Sequence, residues 1–398
     1  MKGSNSKQNK ALNLRLVLSE IVTQGPISRV EISRNTHLTK QTITNMVEEL
    51  LATDLVFETG IKKEGSVGKP SKMLVLNPKA AYTLAVRVFS QTLEVGLFDL
   101  SGQAIASENT AYQADSLIDK IAETLDALLK QAELSKAAIL GVGLTLAHSD
   151  STSETMNLAS YQTAQALQQT LVEKLNLPTA VESTASACAA FHMLFGEAKS
   201  LHSFVYVHIG DVVEAAVVYD RKILLGQNGL TGAIGELFVT PETDDETAEL
   251  GRLNDFASLS SLKSFIDQPN LSNLALAEYC QQHPDKIAPW LERSAEPMRI
   301  AIHALETLLN CQSIILGGDI SPELMDKFIS NLRPFIPSIS QYGERQVVRL
   351  IKTPNVEGIA LKGSAVLPFY AALTTESMQT LAFGEQTPLS DLQTLIYT

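Results

Sequence analysis

Apolar residues recur at helical spacing over residues 13–51, and polar breaks divide this stretch into three predicted helices. The first ends at Gly25-Pro26, and the second begins at Ser28, which can form a capping box with Glu31. Leu14, Val17, Leu18, Ile21 and Val22 make the first helix amphipathic. In and after the second helix, Val30, Ile32 and the later Leu38 are predicted to pack inward. Short helices with a tight joint between the second and the third are typical of a helix-turn-helix.

The third helix divides most clearly into an apolar and a polar face. Thr39 is its predicted N-cap. Its apolar stripe consists of Ile43, Met46, Val47, Leu50 and Leu51, and the opposite face offers Gln41, Thr44, Asn45 and Glu48, flanked by Lys40 and Thr42. Amides and hydroxyls in the first turns of an exposed helix suit the base edges and phosphates of a major groove. The predicted DNA contacts on this helix are Thr39, Lys40, Gln41, Thr42, Thr44 and Asn45.

Two predicted strands, residues 56–58 and 73–76, follow this helix and enclose a basic loop with glycines at Gly65 and Gly68. The lysines of this region are Lys62, Lys63, Lys69 and Lys72. Such a tip looks like the wing of a winged helix, and it can reach phosphates or a minor groove. Helix spacing alone fits a small bundle that contacts another protein equally well. The basic hairpin favours DNA binding over a contact with another protein.

Beyond Asn77-Pro78 the pattern changes to strands and then to alternating helices and strands. Predicted strands lie at 82–88, 94–100, 104–107, 139–146 and 179–182, with helices from Ser116, at 163–175 and at 185–194. A second half has strands at 204–208, 215–218, 222–225, 313–316 and 347–351, a helical region at 254–310 and a helix after Gly363. This order indicates an α/β protein with mixed sheets and helices on their faces. No chemistry is assigned to the tail after Thr374.

The charge of the chain is unevenly distributed. Residues 1–76 hold 11 Lys and Arg against 7 Asp and Glu, whereas the remaining residues hold 20 against 37. A basic head on an acidic body fits a protein that touches DNA at one end. The chain has no long uninterrupted apolar run and residues 1–10 are polar, so we expect a cytoplasmic protein with no membrane partner. The distant Cys188, Cys280 and Cys311 argue against a disulfide framework and a cysteine-based zinc site.

Motifs in order along nearly the whole chain resemble the ROK family, whose repressors and kinases share one sugar-kinase fold. They are Gly68-Lys69-Pro70 before residues 74–78, the turn at 99–102, residues 177–178 leading to Val181-Glu182, residues 232–236 with Val239 and Pro241, residues 315–318, and Gly363. The resemblance implies a winged helix-turn-helix at 1–77 and a two-lobed, actin-like (ribonuclease-H-like) domain at 78–398. Lobe one would span about 78–185 and lobe two about 186–373.

The chain departs from the family's kinases where the chemistry would take place. The resemblance places a proton-accepting Asp at the position of Thr184, and a threonine hydroxyl is not a base near neutral pH. The phosphate-binding Asp-x-Gly-Gly-Thr is missing from residues 87–92, and Val212 and Glu214 would obstruct or repel a phosphate. We therefore expect no enzyme activity and no cofactor. The alternative is a ROK-type sugar kinase with an added DNA-binding head.

The sugar and zinc motif of the family is altered too. Ala233 replaces its Glu, Glu236 replaces its His, and residues 240–252 contain no cysteine. Zinc prefers a closed set of nitrogen and sulfur ligands, so we expect no metal. The histidines show no ligand spacing and are expected on the surface or in the core; they are His37, His148, His192, His202, His208, His283 and His303.

Candidate effector contacts follow from the fold that the resemblance implies, because its pockets lie at the cleft between the lobes. They are Thr145, Ser183, Thr184 and Glu236. In the alternative, these are ordinary buried polar residues, and the body serves oligomerisation or docking of a sugar-transport protein. We predict a DNA-binding regulator, a repressor of carbohydrate-utilisation genes of the N-acetylglucosamine, glucose or xylose repressor type. Its partners would be double-stranded operator DNA, a sugar or sugar phosphate, and further copies in a homodimer or homotetramer.

Overall fold

The structure, a computed structural model, describes residues 6–62, 71–89, 92–146, 156–226, 231–240, 250–341, 347–354, 356–374, 377–384 and 388–397. The N-terminal part, here called the head, contains α1 (Ser6–Gln24), β1 (Ile27–Ser28), α2 (Arg29–Thr36), α3 (Lys40–Ala52), β2 (Val56–Lys62) and β3 (Ser71–Leu76). Its strands form an antiparallel sheet in the order β1-β3-β2. Helices α2 and α3 precede the β2–β3 hairpin, which is the order expected for a winged helix-turn-helix.

Side-chain caps fix the joint between α2 and α3. The predicted capping box of Ser28 and Glu31 is present, and Thr39 Oγ1 accepts a hydrogen bond from the backbone N–H of Thr42 at 3.2 Å. His37 ends α2 in the left-handed region, with a φ of 58°. The apolar stripe of α3 is buried as predicted at Ile43, Met46, Val47 and Leu50. The sequence pattern therefore predicts the start and the inner face of α3 correctly.

The predicted inward packing of Val30 is wrong. Its side chain is 47% exposed, whereas Ile32 is fully buried and Leu38 packs against the core. Successive residues of a helix are rotated by about 100°, so residues two apart face nearly opposite sides. Burial of Ile32 therefore turns Val30 toward solvent.

The elements of lobe one up to residue 182 are β4 (Tyr82–Val88), β5 (Thr92–Asp99), β6 (Ala104–Ala111), α4 (Leu117–Gln131), β7 (Ile139–Leu146), α5 (Met156–Leu175) and β8 (Thr179–Glu182). Together with β16 (Leu381–Ala382) from the tail, the described strands form a six-stranded mixed sheet with the order β16-β8-β7-β4-β5-β6. The central strands β4 and β7 are parallel to each other and almost wholly buried. Long apolar strands such as these are typical of a sheet that is covered on both faces.

Lobe two is built on a five-stranded sheet with the order β11-β10-β9-β14-β15. Helix α6 (Thr184–Leu194) leads into it. The elements that follow are β9 (Phe204–Ile209), β10 (Val213–Tyr219), β11 (Lys222–Ile223), β12 (Phe238–Val239), β13 (Gly251–Arg252), α7 (Asn254–Ala257), α8 (Leu259–Phe265), α9 (Asn273–Gln282), α10 (Pro284–Leu309), β14 (Ser313–Gly318), α11 (Pro322–Asn331), β15 (Leu350–Lys352) and α12 (Ile359–Ala371). Strands β12 and β13 form a separate hairpin. The predicted mixed α/β class is confirmed.

Helices α6 and α12 pack against each other between the two sheets. Helix α6 covers β9 and β10 of lobe two, and α12 covers β4 and β7 of lobe one. Their close approach depends on Gly363, where an added Cβ would lie 2.7 Å from the backbone nitrogen of Cys188. Gly363 thus lies inside α12, which begins four residues earlier than predicted. Although α12 was expected in lobe two, it packs on the sheet of lobe one.

The tail after Thr374 is folded onto lobe one. Strand β16 (Leu381–Ala382) pairs with the edge strand β8, and helix α13 (Asp391–Tyr397) follows. Tyr397 donates a hydrogen bond to the carbonyl of Pro368 at 3.0 Å, and Gln393 donates one to the carbonyl of Leu140 at 2.9 Å. The tail therefore completes the sheet and covers its helix layer.

The head is docked on the body through α1, which contacts both α6 and α13. One continuous apolar core includes Leu14 and Leu18 of α1 together with Met193 of α6 and Tyr397 of α13. The connection between head and body is also fixed, because the backbone N–H of Leu100 donates to the carbonyl of Pro78 at 3.0 Å. Within the part of the chain that the structure describes, no helix combines the length and apolar character needed to span a bilayer.

Candidate functional site

The exposed face of α3 presents an ordered pair of amides. Gln41 Nε2 donates a hydrogen bond to Asn45 Oδ1 at 2.9 Å, and both side chains are exposed. Residues four apart lie one above the other on a helix, so the pair spans one turn. Each amide keeps free donor and acceptor positions, which are the groups that a base edge in a major groove can bind.

The neighbouring hydroxyls on α3 are partly satisfied by the helix itself. Thr44 Oγ1 donates to the carbonyl of Lys40 at 2.9 Å, and the hydroxyl oxygens of Thr39 and Thr42 lie 2.9 Å apart. Lys40 is exposed at the first position of the helix. The first turns of α3 therefore combine fixed side chains with an exposed cation, as a groove-binding helix requires.

The base of the β2–β3 hairpin holds a small ion-pair network. Glu58 receives Lys72 Nζ on one carboxylate oxygen and Arg29 Nη1 on the other, the latter at 2.8 Å. The hydrogen bond from Lys72, followed by that from Arg29, lowers the pKa of Glu58. Lys72 thus already has an anionic partner. The predicted contacts Lys63 and Lys69, and the side chain of Lys62, lie outside the described residues.

The second candidate site is the cleft between the lobes, where a buried ion pair joins them. Arg87 Nη1 lies 2.8 Å from Asp319 Oδ1, and Arg87 Nη2 lies 2.5 Å from Asp319 Oδ2. The imidazole Nε2 of His208 lies 3.3 Å from Oδ2 of the same carboxylate. Arg87 comes from the end of β4 in lobe one, whereas His208 and Asp319 come from β9 and the end of β14 in lobe two. The contact is a bidentate bridge across the cleft.

Local backbone geometry brings Asp319 to this position. Gly318 has a φ of 149°, and a Cβ added there would lie 2.1 Å from the carbonyl oxygen of Ile209. The backbone N–H of Asp319 donates to that same carbonyl at 2.9 Å. Because only glycine permits this approach of β14 to β9, the carboxylate emerges beside His208.

The three side chains shift one another's pKa values strongly. Burial alone would lower the pKa of Arg87, but the charge of Asp319 raises it above its ordinary value. Burial lowers the pKa of His208 as well, yet the same charge outweighs it and raises that pKa to about 10. Burial would raise the pKa of Asp319, whereas Arg87 and His208 hold it well below its ordinary range. At neutral pH two cations therefore share one carboxylate.

The cleft around this bridge is almost filled. Its cavity measures about 10 Å³, which is room for about one water molecule. The lining residues are Arg87, Phe89, Thr184, His208, Gly210, Asp211, Val212, Glu214 and Asp319. The space that these described residues enclose beside the bridge is too small for a sugar.

The four predicted effector contacts occupy different surroundings. Thr184 lines the cleft, and its Oγ1 forms no hydrogen bond with any described residue. Thr145 is buried with its hydroxyl 2.7 Å from that of Ser364, and Ser183 caps α6 by accepting from the N–H of Ser186. Glu236 is exposed and lies 3.3 Å from the amide nitrogen of Asn254. Thr184 is thus the member of this set that borders the cavity.

Most of the sequence matches the model of a known protein family. The sequence model of the ROK family matches residues 83–368. The chain belongs to the ROK family. The match runs from β4 to α12 and therefore includes both walls of the cleft.

Similar ROK proteins include two repressors. The xylose repressor of Bacillus subtilis (strain 168) is 27% identical over 236 residues, 58% of this chain and 61% of that protein, so the alignment spans less than two thirds of it. The xylose repressor of Caldicellulosiruptor bescii is 24% identical over 400 residues, 94% of this chain and 98% of that protein. A solved ROK family transcriptional regulator, described as a homologue of the Escherichia coli MLC protein, has a TM-score of 0.66 and 21% identity, and covers 93% of this chain and 98% of its own.

The ion pair of the ROK cleft was not found from the sequence. In the sequence, residues 87–92 stand out only for a missing glycine motif, and His208 has no neighbouring ligand pattern. Parallel β9 and β14 end side by side, so their final residues could have been placed together from the strand pattern. Nothing in the sequence indicated that Arg87 of the other lobe would meet them. Among the described residues, no cluster of three or more His, Cys, Asp and Glu side chains could hold a metal ion.

Proposed function

We propose that this ROK protein is a sequence-specific DNA-binding transcriptional regulator that represses carbohydrate-utilisation genes. The observation that carries the proposal is the exposed Gln41–Asn45 pair on α3, in a winged head docked on a ROK body. Base contacts are assigned to Gln41, Thr44 and Asn45. Contacts to phosphates or the minor groove are assigned to Thr39, Lys40, Thr42, Lys62, Lys63, Lys69 and Lys72. The relatives named xylose repressors support the link to sugars.

The regulator would act as a homodimer or homotetramer. Two heads held by paired bodies would address half-sites about 34 Å or a multiple of that apart. A roughly palindromic, AT-containing operator is expected, because the symmetry of the protein is then matched by that of the DNA. The basic head and the acidic body favour an approach with the head toward the duplex.

The body would carry regulation without phosphoryl transfer. Thr184 borders the cleft at the position where the resemblance places the carboxylate base of the family's kinases, and a threonine hydroxyl is not a base near neutral pH. Residues 87–92 lack the phosphate-binding glycines that the resemblance to the kinases would supply, and the Arg87 side chain is paired with Asp319. We assign this cleft as the effector site, with Thr184 as its polar contact on α6.

Selection of bound duplexes from a random DNA library tests the proposal. Purified protein at low ionic strength should enrich a two-fold symmetric sequence, and D-xylose, D-glucose or their phosphates should change the affinity for it. Asn45→Ala serves as the comparison variant and should enrich the same sequence less strongly, with a relaxed preference at the base pair that Asn45 contacts. A wild-type protein that enriches nothing, or that consumes ATP in the presence of D-glucose, would contradict the proposal.

A further inference from the structure

The Arg87–Asp319 bridge is placed where it can hold the lobes together. Helices α6 and α12 form the layer that both lobes share, and they approach closely at Gly363. The bridge lies at the carboxyl ends of β4 and β14, and Thr184 at the start of α6 lines the same cavity. An ion pair that joins the strand ends of the two lobes opposes any motion that separates them.

The bridge is buried and well made. The side chains of Arg87 and Asp319 are 4% and 15% exposed, and both hydrogen bonds of the guanidinium are 2.8 Å or shorter. Glu94, which pairs with β4 from β5, lies 3.7 Å from Arg87, and His208 stays beside Asp319. When the lobes separate, Arg87 therefore keeps Glu94 as an opposite charge in lobe one, and Asp319 keeps His208 in lobe two. The bridge can break without leaving a bare buried charge on either side.

The size of the cavity links the bridge to ligand binding. With the bridge intact, the cavity of about 10 Å³ admits about one water molecule. A sugar-sized effector can occupy the space between these described residues only after Arg87 and Asp319 separate. Only the open fraction of molecules is then competent to bind, and the apparent affinity falls by that fraction.

We propose that the Arg87–Asp319 ion pair is a latch between the lobes that keeps the effector cleft shut. The role of the cleft rests on the proposed function, whereas the latch itself is a property of the fold. Because a latch opposes binding, breaking it raises the affinity of an effector. A pair of residues that contacts the effector directly would have the opposite effect when mutated.

The buried thiol of Cys188 provides a reporter that requires neither DNA nor sugar. Cys188 lies on α6 beside His208 and Tyr206, and its side chain is fully buried in the closed state. Cys280 and Cys311, which are also buried, lie elsewhere in lobe two and report general unfolding. Labelling with iodoacetamide, followed by peptide mass spectrometry, measures the reaction rate of each of the three thiols separately.

Arg87→Met and Asp319→Asn should each raise the labelling rate of Cys188 by about tenfold or more, while Cys280 and Cys311 change little. Arg349→Met is the matched control, because Arg349 forms a similar bidentate pair with buried Glu306 inside lobe two. That variant should leave Cys188 labelling unchanged. Unchanged Cys188 labelling in both latch variants, or an equal rise at all three thiols in both, overturns the latch and leaves the proposed DNA-binding function intact.

A second measurement uses D-xylose and D-glucose as probes. If the wild type binds either sugar, Asp319→Asn should bind it more tightly, by the same factor by which Cys188 labelling increases. Weaker binding in both Asp319→Asn and Arg87→Met would identify them as ligand contacts and would overturn the latch.

Discussion

Gln41 donates a hydrogen bond to Asn45 one turn along the exposed face of α3, so the two amides are held together as a pair. Asn45→Ala removes the acceptor of this bond and the assigned base contact. We expect affinity for the selected operator to fall by about 1–3 kcal/mol, while affinity for random DNA stays nearly constant. Fluorescence anisotropy on both duplexes measures the two values.

A control for this variant is Gln24→Ala, which removes an exposed amide at the end of α1. It should leave both affinities unchanged. If Asn45→Ala weakened binding equally on operator and random DNA, the assignment of Asn45 to a base contact would be wrong.

The two lysines around the wing should differ in their effect on salt dependence. Lys69→Ala should weaken binding to all sequences and lower the slope of log affinity against log salt by about 1. Lys72→Ala should have a smaller effect, because Lys72 is already paired with Glu58. Titrations between low and physiological salt provide the slopes. Equal slopes for Lys72→Ala and Lys69→Ala would show that the Glu58 pair does not restrain Lys72 on DNA.

Gly143 allows α12 to lie directly on β7. A Cβ added at Gly143 would lie 1.7 Å from the carbonyl oxygen of Ser364, so Gly143→Ala must push the helix away from the sheet. We expect the free energy of unfolding to fall by about 1–3 kcal/mol or more. Urea denaturation measures this, with Ser107→Ala on the exposed face of β6 as a control that should change it by less than about 0.5 kcal/mol. A neutral Gly143→Ala would contradict the packing.

Glu182 should make stability depend on pH. Burial raises its pKa from an ordinary 4.5 to about 8, although the backbone N–H of Ser183 partly offsets this. Below pH 4.5 the Glu182 carboxyl is protonated in both the folded and the unfolded protein. Above pH 4.5 the unfolded protein releases this proton, whereas the folded protein keeps it until about pH 8. The free energy of unfolding should therefore fall as pH rises through this window, by up to about 1.4 kcal/mol per pH unit.

Glu182→Gln should remove this part of the pH dependence, because the amide does not titrate. Urea denaturation of both proteins at several pH values across the window shows the difference. The variant should gain stability over the wild type as pH rises. Parallel curves for the two proteins would mean that Glu182 ionises normally in the folded state.

Local features of the fold were predictable because they depend on neighbouring residues. The Ser28–Glu31 capping box, the Thr39 cap and the buried stripe of α3 follow from short-range spacing, and the structure confirms them. The buried strand β7 was likewise visible as an apolar run. Val30 was mispredicted because a list of apolar residues does not state which of them can share a helix face.

The contacts between distant segments could not be predicted from spacing. Arg87 and Asp319 are 232 positions apart, and neither residue type indicates a partner on another lobe. The same holds for Glu58, whose cations come from α2 and β3. The extent of the family resemblance predicted the two lobes, but these ion pairs depend on how the lobes and the head pack.

The contact of α1 with α13 also bears on how the chain reaches its final form during synthesis. The head leaves the ribosome before the body, and the buried residues of α1, α2 and α3 belong to the apolar core that it shares with the body. Its docking surface on the body includes Tyr397 and its neighbours, which are translated hundreds of residues later. A nascent head therefore remains tethered only by its linker, and the fixed arrangement of head and body is acquired after translation has passed α13.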